Sequence, residues 1–214
     1  MLDALKFFID FILHIDRHLF EIVTRYDTWT YLILFIIVFA ETGLVVTPLL
    51  PGDSLLFAAG ALASPPGEAL NIGYLIIVLF IAVFAGDNTN YFIGKYVGPK
   101  VFEKNYRFLK REYLEQTREF YIKHGGKAIV MARFVPIVRT FAPFVAGVGT
   151  MTYKRFIGFS LLGSLIWINV CLWAGYLFGK LPFVKENFSI VVLIIIAISV
   201  VPVIVGILRS RMKK

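Results

Sequence analysis

Apolar runs, and the residues that interrupt them, set out the chain. Residues 29–46, 73–94, 156–179 and 188–208 are continuous enough in apolar side chains to enter a bilayer. At about 1.5 Å per residue the last three are long enough to cross a hydrocarbon core of about 30 Å. Two other stretches are broken. After 29–46 the chain meets Pro48 and Pro51-Gly52, then resumes at Ser54–Ala63. That second arm climbs only about 15 Å and cannot cross. Residues 128–150, AIVMARFVPIVRTFAPFVAGVGT, are apolar except for Arg133 and Arg139, and Pro136 and Pro143 keep them from being one straight helix. Broken backbone at membrane depth survives only where it is buried in protein or lines a wet cavity. Both stretches therefore predict re-entrant helical hairpins, with arms at 128–138 and 140–150 in the second. Asp53 or Ser54 is placed to cap the returning half-helix of the first.

Composition agrees: 58% of the 214 residues are hydrophobic and 17% charged, well beyond the apolar share of a soluble domain. The net charge of +8 is concentrated at Lys95–Lys127 and in the tail Arg209, Arg211, Lys213 and Lys214. That is a topology signal, placing those segments and the C-terminus on the cytoplasmic side; no nucleic-acid partner is expected. The side of the N-terminus stays open. Residues 1–23 read as an amphipathic helix at the interface or packed on the bundle, with Asp3, Asp10 and Arg17 recurring every seven residues. Asp3, Asp10, Asp16 and Arg17 argue against a cleavable signal peptide. His14 and His18 lack a third ligand, and Cys171 stands alone, so neither metal nor cofactor is expected.

The chain also echoes itself. Tyr91-Phe92-Ile93-Gly94-Lys95 returns as Tyr176-Leu177-Phe178-Gly179-Lys180, 85 residues on, and Ala59-Gly60 returns as Ala146-Gly147, 87 on. Loop charges place the ends of the first hairpin outside and those of the second inside. The expected fold is all-α, a single membrane domain of two inverted repeats, each a hairpin plus a span. Its parts are an amphipathic helix at 1–27, repeats at 28–95 and 128–180, a cytoplasmic amphipathic segment at 96–127, and a last span with basic tail at 181–214.

Candidate chemistry lies in the embedded ionisable residues Glu41, Asp53, Asp87, Arg133 and Arg139. An arginine near the bilayer centre costs about 2.5–3.5 kcal/mol by insertion scales, which makes such groups functional candidates with partners to be named. Guanidinium keeps its charge and grips phosphate as a fork. Half-helix N-termini at the breaks would add backbone donors. Acids in a low-dielectric site can load and release protons near neutral pH, so Glu41, Asp53 and Asp87 suit proton coupling. The plainer reading is that Glu41–Arg and Asp53–Arg pairs only pin the hairpins. Asp87, with Asn88 and Asn90, has a second plain reading: hydrogen bonding to a neighbouring helix near a span end.

ETGLVVTPLLPGDSLLFAAGALAS, GDNTNYFIGK, KHGGK and ARFVPIVRTFAPFVAGVGTM together resemble the DedA family of bacterial inner-membrane proteins. The resemblance covers nearly the whole chain. It implies kinship with a wider group that includes eukaryotic lipid scramblases. It also implies movement of phospholipid or undecaprenyl phosphate between leaflets, dependence on the proton motive force, and a role in envelope integrity. Through the family's motif the essential acids would be Glu41 and Asp53, and the essential arginines Arg133 and Arg139. The expected function is a flippase binding an anionic lipid headgroup at the two arginines, with protons as the coupled ion and a homo-oligomer left open. The alternatives are a proton-coupled small-ion or drug antiporter and a scaffold. An enzyme such as a lipid phosphatase would need a His or Ser nucleophile with a base, and the residues offer no convincing one.

Overall fold

The computed structural model describes residues 23, 25–26, 28–44, 52–65, 69–103, 121, 125–149, 151–188 and 190–195. The N-terminal amphipathic stretch, Pro48, Pro51, all three histidines, the segment 104–120 and the basic tail lie outside the described residues. Every described element is a helix: α1 (Trp29–Gly43), α2 (Gly52–Leu62), α3 (Ile72–Glu103), α4 (Lys127–Ala132), α5 (Pro136–Val148), α6 (Tyr153–Phe178) and α7 (Pro182–Glu186). Residues 72–98 of α3 and the whole of α6 are long and apolar enough to cross a membrane. α1, α2 and α5 are shorter apolar helices, as the apolar runs predict.

Boundaries differ from expectation in three places. The helix expected to stop at residue 94 runs on to Glu103. The break in the second stretch falls at 133–135, so α4 has only six residues and Arg139 lies inside α5. Proline explains the shift. Pro136 forces Val135 into an extended conformation (φ −121°, ψ 105°), and Pro then suits the first turn of the new helix. Pro143, expected to break the stretch, sits within α5; the helix continues through it, with no N–H to give the Arg139 carbonyl.

The residues gather into two compact units. One takes residues up to 35, 50–79 and 168 onward; the other takes 36–49 and 80–167. In the first, Asn71 starts α3 by accepting from the backbone N–H groups of Gly73 (2.9 Å) and Tyr74 (3.2 Å). The Tyr31 hydroxyl accepts from the Asn71 backbone N–H at 2.8 Å. α2 lies against the later part of α6 almost backbone to backbone. A Cβ on Gly175 would enter the Phe57 carbonyl, one on Gly60 the Leu172 carbonyl, and one on Gly179 the Ala61 methyl.

In the second unit α5 lies against the later part of α3 in the same manner. A Cβ on Gly94 would enter the Phe144 carbonyl, one on Gly147 the Tyr91 carbonyl, and one on Gly98 the Val148 side chain. Helices within lipid gain little from burying apolar surface, so close approach through small residues is what fastens them. Tyr91, Ile129, Ala146 and Phe156 fill the core beside this contact. The rings of Tyr91 and Phe156 stack at 4.5 Å.

Candidate functional site

The second unit brings four of the five embedded ionisable residues together as two pairs. α1 and α3 meet at Gly43 and Gly86, where a Cβ on Gly43 would lie 3.2 Å from the Gly86 Cα. That contact sets Glu41, in the last turn of α1, and Asp87, next to Gly86, into the same interior. Both carboxylates are buried, at 1% and 2% exposure. Thr42 turns its hydroxyl back onto the Val38 carbonyl at 2.8 Å, and its own carbonyl, in the last turn of α1, has no following turn to bond to.

Asn90, one turn beyond Asp87, closes that end. Its Nδ2 donates to the carbonyls of Thr42 (3.0 Å) and Thr140 (2.7 Å). One carboxamide therefore ties together the neighbours of Glu41 and Arg139. Two carbonyl acceptors fix which end of the amide is nitrogen, and Oδ1 is left buried with no donor among the described residues.

Arg139 pairs through Nη2 with Glu41 Oε1. Its guanidinium carbon lies over the Trp167 ring, 5.1 Å from the centroid, and the indole is buried. Arg133 stands in the break between α4 and α5 and pairs through Nη2 with Asp87 Oδ2. The same Nη2 donates to Ser164 Oγ at 2.7 Å. Ser160 Oγ donates to Asp87 Oδ2, and Ser164 Oγ donates to the Ser160 carbonyl at 2.7 Å. The Arg133 stem crosses α6 at Gly163, where a Cβ would come within 2.9 Å of Nε. Nε itself is buried and without an acceptor among the described residues. Two permanent cations are thus held in an apolar interior, each against its own acid. Such a pair adds little net stability, yet removing one partner strands a buried charge.

Of the residues expected at the site, Glu41 and Arg139 form the anticipated kind of pair, while Arg133 takes Asp87. Asp53 belongs to the other unit, in the first turn of α2, where a carboxylate suits the positive end of the helix dipole. Gly52 begins that helix. Sequence reasoning missed Ser160, Gly163, Ser164 and Trp167. Their signal was present as a stripe: at spacings of three and four they share one face of α6. Tyr121 was also missed. Its hydroxyl donates to the Ala142 carbonyl at 2.6 Å, and burial pushes the phenol well above its ordinary range, so it keeps the proton that this bond needs.

Comparison with known proteins shows the family. The VTT domain family matches residues 50–177. Protein DedA of Escherichia coli K12 is 51% identical over 98% of this chain and 96% of its own. The uncharacterized membrane protein Rv0364 of Mycobacterium tuberculosis is 44% identical over 82% of this chain and 78% of its own. Inner membrane protein YqjA of Escherichia coli K12 is 33% identical over 71% and 69%. No solved structure matches the chain. The apolar helices, the VTT match and the near full-length likeness together establish that this chain is a membrane protein of the DedA family.

Proposed function

We propose that the protein moves a phosphate-bearing lipid, undecaprenyl phosphate or a phospholipid, between the leaflets of the bacterial inner membrane. Arg139 and Arg133 bind the headgroup phosphate, and Glu41, Asp87 and Asp53 accept the protons that drive the cycle. One observation carries the reading: two buried guanidinium groups, each neutralised by its own carboxylate. A phosphate that takes the same guanidinium edge displaces the acid, and protonating the acid removes the competing charge. Proton uptake and headgroup binding are then one exchange. Anion affinity is further raised by the N-terminal turn of α5, which holds Arg139 near the positive end of its helix. A long acyl or isoprenoid tail stays in lipid while the headgroup crosses. No bond is made or broken, so no enzymatic step is proposed.

The architecture we infer is two inverted repeats built on re-entrant arms, α2 in one and α5 in the other, with the C-terminus cytoplasmic. Support comes from the glycine contacts. Residues 57, 60 and 61 meet 175, 172 and 179 with the same spacing by which 144, 147 and 148 meet 94, 91 and 98.

The test is transbilayer movement of a labelled phosphate lipid in proteoliposomes bearing an inward proton gradient. Wild type is expected to exceed empty vesicles, and Arg139→Lys to lose movement because lysine lacks the fork. Lipid movement unchanged in Arg139→Lys, with proton flux intact, would favour the small-ion or drug antiporter. Movement no faster than in empty vesicles would reject the proposal.

A further inference from the structure

The structure assigns Trp167 as the residue that positions Arg139, so that the Glu41 carboxylate and a ligand phosphate exchange on the same guanidinium edge. This rests on the lipid-phosphate reading of the site. Three observations carry it. The Arg139 guanidinium carbon lies over the Trp167 ring at 5.1 Å. Indole and arginine are both buried, the indole at 3% exposure and the arginine side chain at 8%. The other face-mates of Trp167 on α6, Ser160, Gly163 and Ser164, already serve as the seat of Arg133.

The physical point is what each contact uses. Guanidinium is planar, and its five N–H donors lie in that plane. A carboxylate or phosphate takes the edge, whereas an aromatic ring takes the face. Trp167 therefore occupies none of the donors that an anion needs. When Glu41 leaves, the charge of the guanidinium draws it towards water or another acid. The indole keeps the group where it is, its edge turned towards the position the carboxylate has vacated. Glu41 then competes in place with the ligand, and the arginine need not move between the two states. Lysine can sit over a ring, but its compact ammonium offers an anion no planar edge of paired donors while it does so. One face of α6 thereby holds both arginines, Arg133 by the Ser164 hydroxyl and Arg139 by a ring.

The experiment titrates dioleoyl phosphatidic acid, with dioleoylglycerol as the phosphate-free control, into the detergent-purified full chain and reads occupancy by native mass spectrometry. Trp167→Leu is expected to weaken phosphatidic acid binding by about tenfold, and Trp167→Phe, which keeps a ring face, by less than about threefold. In an Arg139→Lys background Trp167→Leu should add almost nothing, because the residue it positions has gone. Glu41→Gln should tighten binding by about tenfold in the wild-type background, since a competing charge is removed, and should not do so with Trp167→Leu.

Wild-type affinity in Trp167→Leu, or losses that multiply fully with Arg139→Lys, would overturn the assignment while leaving the lipid reading standing. Should Trp167→Leu not purify, Trp167→Met supplies the same comparison. The Glu41→Gln measurement leaves the indole intact, and unchanged or weaker binding there overturns the exchange. Phosphatidic acid that binds wild type no better than dioleoylglycerol overturns both this inference and the function beneath it.

Discussion

The two units place a short apolar arm against a long helix in the same way and then fill the space around that contact differently. Against α6, α2 brings Phe57, Gly60 and Ala61 to Gly175, Leu172 and Gly179; against α3, α5 brings Phe144, Gly147 and Val148 to Gly94, Tyr91 and Gly98. In that register Ile168 takes the place of Asp87 and Cys171 the place of Asn90, while Gly52 stands where Arg139 does. One unit lines the position with apolar groups; the other lines it with a buried acid, a buried amide and an arginine. Close glycine packing needs no charge, since the first unit achieves it without one there. Packing an arm through glycines therefore does not by itself call for a charge at this position.

The sharpest way to break this comparison is at its charged member. Asp87→Ala leaves Arg133 buried with no carboxylate, and a drop in unfolding free energy of about 3–5 kcal/mol is expected. Adding Arg133→Met should recover most of that loss, because the stranded charge goes with it. Thermal unfolding in one detergent measures both. Recovery of stability without recovery of lipid movement would separate the pair's function from its packing. A double variant no more stable than Asp87→Ala would contradict the burial argument.

The glycine contacts give the next largest effect and should be alike in the two units. Gly60→Ala and Gly147→Ala each push a methyl into a backbone carbonyl, with an expected cost of about 1–3 kcal/mol apiece. Melting temperatures that fall together support the shared packing. A fall in one and none in the other would show the two contacts to be unlike in energy.

Tyr121→Phe removes one hydrogen bond to α5, worth about 1 kcal/mol. Its pH dependence carries a sign. Burial raises the folded phenol above its unfolded value, so the bond's stability is fully present below about pH 10, the ordinary tyrosine range. Above that pH the unfolded chain loses the proton first, and the advantage of wild type over Tyr121→Phe shrinks as pH rises. Unfolding measured from pH 7 to 10.5 checks it; an advantage that grew with pH would contradict the burial of this phenol.

What the sequence could tell follows from what stands out against an apolar background. Glu41, Arg133 and Arg139 are conspicuous there, and so is a proline-glycine break, which is why the arms and their charges were legible. The partner of Arg133 was not, because three acids were on offer and only the crossing of α1 and α3 at Gly43–Gly86 decides which one arrives. Serines and a tryptophan inside an apolar helix look ordinary, so the seat on α6 went unread until its contacts were seen. The glycine contacts pair positions of the two arms at the echo's spacing of 87 residues but pair the long helices at a different spacing. The tyrosine-to-lysine match sets Gly94 against Gly179, whereas the contacts set Gly94 against Gly175, 81 residues on. A match of letters slipped by one helical turn keeps the same face towards the neighbour, and pattern alone cannot detect it.

The central claim is that buried arginines exchange an acid for a lipid phosphate. It is tested most directly by a structure of the full chain in nanodiscs containing dioleoyl phosphatidic acid, determined at a pH low enough to protonate the acids. The account predicts headgroup phosphate density on the edge of Arg139, with the Glu41 carboxyl withdrawn and the guanidinium still over Trp167. Both arginines still held by Glu41 and Asp87, with phosphate bound only elsewhere, would contradict it.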